Sequence, residues 1–115
     1  MGACYFEFGK IDSSNYYYNQ VYDYAIKTKN RQWQGISSGN LGYNLFKKQK
    51  YKQAIPLFKK DIEIGTEFKD WNLVSSALIN LGELYLKLDK NKEALEIGIE
   101  AKKVVLLSFY YDFWL

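Results

Sequence analysis

The sequence contains no histidine and only one cysteine, Cys4, among its 115 residues. Histidine is the commonest general base and the commonest metal ligand, and a structural zinc site needs several thiolate or imidazole ligands. There is no glycine-rich phosphate loop either. One cysteine excludes a disulfide within the chain and is compatible with a reducing compartment. We therefore expect a cytoplasmic protein that is not an enzyme and binds neither metal nor cofactor.

Long apolar runs and a strong charge of either sign are also missing. No segment reaches the ~18 uninterrupted apolar residues of a membrane span, and residues 1–8 lack the basic leader of a signal peptide. The 16 basic and 13 acidic residues give a net charge of only +3 and are interspersed along the chain. Such a pattern argues against a nucleic-acid partner. We expect no membrane and no nucleic acid among the partners.

What the chain does contain is a repeat. The segment that begins Asn40-Leu41-Gly42 returns forty residues later as Asn80-Leu81-Gly82. An internal period of this size is typical of a solenoid of stacked supersecondary units. Aligned without a gap, the identical pairs are Asn40/Asn80, Leu41/Leu81, Gly42/Gly82, Lys47/Lys87, Lys50/Lys90, Lys52/Lys92 and Ala54/Ala94. With 48% apolar and 25% charged residues, residues 1–115 are predicted to form a single globular domain.

Apolar residues at helical spacing and the polar turns between them predict an all-α fold. Residues 1–9 are predicted to be the tail of a helix. Further helices are predicted over about 14–29, 31–48, 51–68, 71–88 and 92–109. Gly42 and Gly82 lie in the middle of two of them, where glycine costs about 1 kcal/mol relative to alanine. Each is therefore predicted to mark the close approach of a neighbouring helix.

The eleven tyrosines offer large rings for burial in a structure without one central core. Residues 16–18 are three consecutive tyrosines, and Tyr22 and Tyr24 follow them. We predict that these rings mainly pack against the neighbouring helix, with Tyr17, Tyr18 and Tyr22 on the buried side. A recognition surface is the alternative.

Leu41-Gly42 with Leu45, followed by Ala54 and Phe58, resembles the signature of the tetratricopeptide repeat family. Leu81-Gly82 with Tyr85, followed by Ala94, resembles it again, and the period of 40 is similar to that of a branch of the family with longer helices. The resemblance implies a right-handed α-α superhelix of helical hairpins, with a partial first repeat at 1–30, full repeats at 31–70 and 71–110, and an aromatic tail at 111–115. The sequence departs from the family at Asp61, where a small residue is expected, and at Gly98, which replaces an aromatic residue.

For function, the resemblance implies a non-catalytic scaffold that binds a protein or extended peptide in its concave groove, as part of a larger signalling or adaptor protein. The first helix of each repeat would line the groove, and helical spacing selects one stripe on each. The stripes are Ile36, Asn40, Tyr43 and Lys47 on one helix and Ser76, Asn80, Glu83 and Lys87 on the other. The ligand-binding candidates named from them are Asn40, Tyr43, Lys47, Asn80, Glu83 and Lys87. The two amides would bind the backbone of a peptide, and the two lysines favour an acidic ligand. The alternative is that these side chains are merely solvated.

Neither end of the predicted solenoid has the polar outer face that a terminal repeat needs. Val104, Val105, Phe109, Phe113 and Trp114 would face the place where a following helix should lie, and the last four are the predicted interface residues. Either the chain is a piece of a longer array, or its ends pair with another copy. We favour the fragment, with self-association through these residues as its consequence in isolation. A structural module that only oligomerises is the alternative function.

Overall fold

The structure, a computed structural model, describes residues 16–114, with side chains over residues 16–110. Over this range the chain is all α-helical and contains no strand, so the predicted fold class is confirmed. The helix predicted over residues 1–9 lies outside the described residues. The helices are α1 over residues 16–27, α2 Arg31–Lys47, α3 Tyr51–Glu67, α4 Trp71–Lys87 and α5 Asn91–Trp114.

Consecutive helices pack against each other as helical hairpins. α3 lies against both α2 and α4, α4 lies against α5, and α2 and α4 touch only at their margins. In addition, a buried hydrogen bond of 3.2 Å from Gln34 Nε2 to the carbonyl of Ala25 ties α2 to α1. This order of contacts agrees with a solenoid of the tetratricopeptide type.

The four turns share one backbone geometry that recurs every twenty residues. In each turn one residue lies in the left-handed region, with φ between 55° and 62°. The N–H of the following residue donates to the carbonyl oxygen five residues earlier, at 2.8 or 2.9 Å. This Schellman arrangement satisfies carbonyls at the helix end that would otherwise lack a partner. The left-handed residues are Lys29, Gln49, Lys69 and Asp89.

The first helix of each repeat is also capped in the same way. The side chain of Asn30 accepts a hydrogen bond from the N–H of Trp33, and that of Asp70 accepts one from the N–H of Leu73, both at 3.2 Å. Each cap satisfies one of the free N–H groups of the first turn. Since the two caps are forty residues apart, α2 and α4 begin at matching points of the repeat.

α5 extends beyond its predicted end. We expected it to stop near Phe109, but it continues to Trp114. By the twenty-residue rhythm, Ser108-Phe109-Tyr110 occupies the place of the next turn, yet these residues stay helical. In the four turns described before it, the left-handed position holds Lys, Gln, Lys or Asp, whereas here it would fall on the bulky Phe109.

The core lies between α3, α4 and α5. Ala54 and Phe58 of α3 form one buried cluster with Leu81, Leu84 and Tyr85 of α4. Val74 and Leu78 of α4 form a second cluster with Val104 of α5. α4 thus buries one apolar stripe against both of its neighbours. Val104 was predicted to face a following helix, but it is buried against α4 instead.

One of the tyrosines predicted to be buried is not, because the side chain of Tyr17 is 62% exposed. Tyr18 and Tyr22 are half-buried. Tyr16 and Tyr24, which were not predicted to lie on the buried side, are exposed. The packing prediction therefore holds for Tyr18 and Tyr22 and is wrong for Tyr17.

The predicted close approach at glycine holds at Gly42 but not at Gly82. A Cβ at Gly42 would lie 3.2 Å from the Cβ of Leu57 and 3.3 Å from the ring of Phe58. At Gly82, which is half-buried, the nearest side-chain atom would be 3.5 Å away, which is an ordinary contact. The tightest apolar approach was not predicted: a Cβ at Gly35 would lie 2.7 Å from Cγ2 of Ile64.

Candidate functional site

A pocket of about 160 Å³ opens between α2 and α4, with α3 at its floor. We call it the α2–α4 groove. Three of the residues selected from the sequence, Asn40, Tyr43 and Asn80, line it together. Both asparagines are half-buried and Tyr43 is exposed. The complete lining is Ile36, Gly39, Asn40, Tyr43, Phe58, Asp61, Leu73, Ser76, Ala77 and Asn80.

The other three predicted groove residues, Lys47, Glu83 and Lys87, do not line this pocket. They are exposed, and the two lysines end α2 and α4. Lys47 lies beside the pocket's rim, since its Nζ is 5.3 Å from the ring centroid of Tyr43, a distance at which a cation is attracted to the ring face. The structure therefore gives an amide-lined pocket with lysines beyond it.

The residue at the floor of the groove that sequence reasoning missed is Asp61 of α3. Its side chain is 4% exposed, and its Oδ1 has no hydrogen-bond partner among the described residues. The carboxylate lies directly over the backbone of Gly39: a Cβ on that glycine would be 2.7 Å from Asp61 Cγ and closer still to Oδ2. The only signal in the sequence was that a charged residue stands where the family has a small one.

Burial determines the protonation of this group. It raises the pKa of the Asp61 carboxyl to about 7, and repulsion from Asp70, the N-cap of α4, adds to the rise. Desolvation disfavours the charged form of any acid that lacks a compensating partner. Near neutral pH, Asp61 at the floor of the groove is therefore protonated in some molecules and ionised in the others.

An ion-pair cluster joins α2 and α3 outside the groove. The guanidinium of Arg31 donates to both carboxylate oxygens of Glu67, at 2.6 and 2.9 Å, and also to Glu63 at 3.2 Å. The hydrogen bonds from Arg31 lower the pKa of Glu67. Glu63 and Glu67 thus share one solvent-exposed face of α3 and are bridged by a side chain of α2. Because all three side chains are exposed, the cluster orients the hairpin more than it stabilises it.

Three tyrosines of α1, Tyr17, Tyr18 and Tyr24, line a second pocket, of about 300 Å³, between α1 and α2. Tyr17 and Tyr18 meet there edge to face, with ring centroids 5.7 Å apart. Trp33 of α2 closes the other side. The sequence pattern predicted packing for this run and left a recognition surface as the alternative. The complete lining is Tyr17, Tyr18, Val21, Tyr24, Ala25, Thr28, Asn30 and Trp33.

α5 presents an apolar face to solvent. Leu95, Ile99, Leu106 and Phe109 fall on one side of the helix at helical spacing and are all exposed, Phe109 to 74%. Val105, named from the sequence as an interface residue together with Phe109, borders this face and is 47% exposed. The side chains of Phe113 and Trp114 lie outside the described residues.

The described part of the chain holds no group of three or more side chains suited to bind a metal ion. Nor does it include a helix of the length and apolarity that crossing a bilayer requires.

Comparison with known proteins assigns the chain to a family. A search of the curated proteins found no match. The sequence model of a family described as Tetratricopeptide repeat matches residues 33–104, which span nearly all of α2, all of α3 and α4, and the first half of α5. Proteins of this family are, in general, non-catalytic scaffolds for protein–protein interaction. Because the match covers well over half of the sequence and most of both hairpins, α2–α3 and α4–α5, the chain belongs to the tetratricopeptide repeat family.

Proposed function

We propose that the chain is a non-catalytic scaffold that binds a protein or an extended peptide in the α2–α4 groove. The observation that carries this proposal is that Asn40 and Asn80, one from each repeat, line the same pocket. A side-chain amide offers both a donor and an acceptor, which is what one backbone peptide unit requires. Two such amides, one repeat apart, are suited to hold the backbone of an extended chain.

The size of the pocket favours a peptide over a small molecule. Its 160 Å³ is below the range of about 300–1,000 Å³ that is usual for small-molecule sites. A space of this size accommodates one side chain or a short stretch of backbone. The remaining contacts of a longer ligand would fall on the exposed surfaces of α2 and α4.

Lys47 and Lys87 supply the chemistry at the end of the groove. Both are exposed and repeat at the same position of the two helices. Two ammonium groups there favour a ligand with an acidic side chain or a free carboxylate. In the cell, the chain would serve as the sensor or adaptor part of a larger cytoplasmic signalling protein.

The test removes both amides together. Linear peptides are selected on the full chain from a phage-displayed random library, and their affinities are measured by calorimetry for the wild type and for Asn40→Ala/Asn80→Ala. We expect affinity to fall by roughly tenfold to a hundredfold, since each amide loses hydrogen bonds to the ligand. The matched control is Asn19→Ala, on the exposed surface of α1. Unchanged affinity in the double variant, with an unchanged melting temperature, would contradict the proposal.

A second function, self-association, is favoured by the apolar face of α5. Several large apolar side chains exposed along one helix of a repeat protein favour packing against a further helix. We expect Val105→Gln/Phe109→Gln to be monomeric by light scattering while the wild type is larger, with Lys103→Gln as the control. An equal mass for the wild type and the double variant would exclude this function.

A further inference from the structure

The two complete repeats differ at one pair of equivalent positions, one on each helix of the hairpin. The first repeat has its larger residue on the second helix, and the second repeat has it on the first helix. In the repeat of residues 31–70 the first helix has Gly39 and the second has Asp61 directly over it. Forty residues later the equivalent positions are Ile79 and Ala101. Gly39 leaves the space that the carboxylate of Asp61 fills, because any side chain at position 39 would collide with it. Gly39 of α2 therefore makes room for the carboxylate of Asp61, and the repeat of residues 71–110 has no such pair.

The accommodated acid has nothing within the described residues to neutralise it. Its Oδ1 has no hydrogen-bond partner, and the one charge that acts on it, Asp70, has the same sign. Two basic side chains of the α2–α3 hairpin have other partners: Arg31 pairs with Glu63 and Glu67, and Lys60 with the hydroxyl of Tyr22. A buried carboxylate without a partner is costly. Such a group in a native fold calls for a physical explanation, and pairing with a bound ion is one of them.

The surroundings of Asp61 are suited to a charged nitrogen. Asn40, Ser76 and Asn80 line the same pocket and offer amide and hydroxyl oxygens as further acceptors. A divalent metal is a poorer match, because hard cations take several carboxylate ligands and no group of three metal-binding side chains occurs among the described residues. An organic cation needs only one counter-charge and neutral acceptors around it.

We propose that the α2–α4 groove receives a positively charged nitrogen of the bound ligand, an ammonium or guanidinium group, which pairs with Asp61. This inference rests on the proposed function of the groove and names the group of the ligand that enters the pocket. The source is a basic side chain or the free amino terminus of a peptide. Lys47 lies eight residues from Gly39 along α2, roughly 12 Å at the rise of an α-helix. A ligand can therefore bring a basic group to Asp61 and an acidic group to the lysines at once.

The test compares the wild type with Asp61→Asn and with Gly39→Ile/Asp61→Ala, all as full chains. The double variant copies the pair Ile79/Ala101 of the other repeat, so it is expected to fold while lacking the acid. Peptides selected from the phage-displayed library on the wild type are measured by calorimetry against all three. We expect a basic residue or a free amino terminus in every tight binder, and a loss of roughly thirtyfold or more in both variants. Two modified peptides identify the source of the nitrogen: one has lysine replaced by norleucine, and the other has an acetylated amino terminus. The modification that removes the pairing nitrogen should make the peptide bind the wild type and Asp61→Asn with equal affinity, and the other modification should leave the difference in affinity unchanged.

Two other outcomes separate this inference from the function on which it rests. If the selected peptides bind wild type and Asp61→Asn equally and need no basic group, the groove binds peptides but the inference is overturned. If no peptide is selected, the proposed function is contradicted, and the site is then tested alone with the amide of Nα-acetyl-lysine and its norleucine analogue. Saturable shifts of the Gly39, Asn40 and Asn80 amide signals with the lysine derivative only, lost in Asp61→Asn, would support the cation site. Their absence would overturn it.

Discussion

At the scale of single residues, the two complete repeats differ at two buried positions, where only the first repeat has polar side chains. Ser37 and Ser38 of α2 are fully buried, and neither hydroxyl has a hydrogen-bond partner among the described residues. Forty residues later the equivalent residues are Ala77 and Leu78, which are buried and apolar. A buried hydroxyl without a partner costs about 1–3 kcal/mol. The first complete repeat is therefore less stable in this layer than the second.

We predict that Ser37→Ala raises the free energy of unfolding by about 1 kcal/mol, because it removes an unsatisfied donor and leaves almost the same volume. The measurement is the midpoint of urea denaturation followed by circular dichroism. Ser76→Ala, at an exposed position, is the matched control and should change stability by less than about 0.5 kcal/mol. Lower stability in Ser37→Ala would mean that the hydroxyl is bonded in solution.

Asp61 makes the folded chain less stable as the pH rises, which is the opposite of the usual effect of a carboxyl group. Its pKa is about 7 in the folded chain, above its ordinary value of 3.8, so the folded state holds the proton more tightly than the unfolded state. The contribution to stability is therefore complete below pH 3.8 and is lost as the pH rises to about 7, by an amount on the order of a few kcal/mol. The lowered pKa of Glu67 acts in the opposite sense, since its contribution is lost on acidification below its ordinary value of 4.5.

We predict that Asp61→Asn flattens the stability profile between pH 4.5 and 7 and raises the melting temperature at pH 8. The substitution keeps the shape of the side chain and removes the charge that burial penalises. Thermal denaturation at several pH values measures the effect. Glu100→Gln, on the exposed face of α5, is the control and should follow the wild type. A wild-type profile that is flat or rises between pH 4.5 and 7 would contradict this reading of Asp61.

Three of the ten residues that line the groove could be predicted from the sequence as binding candidates, because the sequence repeats. Asn40 and Asn80 stand out because each recurs at the same register, and Tyr43 follows by helical spacing. Asp61 could not be selected in this way, since its importance depends on burial and on the missing side chain of Gly39. Both are properties of the contact between two helices and are not encoded in the spacing of either one.

At the scale of helices, the hairpin of α2 and α3 is packed more closely than that of α4 and α5. Gly35 and Gly42 of α2 allow side chains of α3 to approach the backbone, whereas at Gly82 of α4 the nearest atom of α5 leaves room for a methyl group. Glycine within a helix costs about 1 kcal/mol relative to alanine when nothing requires it. The two hairpins should therefore respond differently to the same substitution.

We predict opposite effects for Gly82→Ala and Gly35→Ala. The first should stabilise the chain by about 0.5–1 kcal/mol, because a Cβ there meets only an ordinary contact at 3.5 Å. The second should destabilise it by about 1–3 kcal/mol, because the new methyl would lie 2.7 Å from Cγ2 of the buried Ile64. Urea denaturation of both variants measures the signs. Equal signs would show that the two hairpins are packed alike.

The helix boundaries were predicted closely from the sequence where the turn has its own chemistry. α2, α3 and α4 end within one residue of the prediction because a short polar segment follows each of them. The end of α5 was not predicted, since the repeat places a turn near Phe109 and the residues there do not form one. The exposure of Tyr17 was also missed, because aromatic residues at helical spacing have the same pattern whether they pack in a core or line a surface pocket.

At the scale of the whole molecule, the repeat places equivalent side chains of two helices around one pocket. α2 and α4 line its walls, α3 forms its floor, and α5 carries an apolar face on the far side of the second hairpin. The forty-residue period predicts stacked helical units, and the resemblance to the tetratricopeptide repeat family implies that the first helix of each repeat lines the groove. The sequence did not predict that the groove contains an acid. Asp61 belongs to α3, which lies behind the two helices that form the walls.

The most direct test of the central claim is to map where a selected peptide binds, using ¹H–¹⁵N correlation spectra of the full chain during a titration. Binding in the α2–α4 groove predicts that the largest shifts fall on Gly39, Asn40 and Asn80, with little change at Lys59 and Leu95 on exposed surfaces of α3 and α5. Shifts that concentrate on Leu95 and its neighbours along α5, and leave Asn40 and Asn80 unchanged, would contradict the claim that the groove is the binding site.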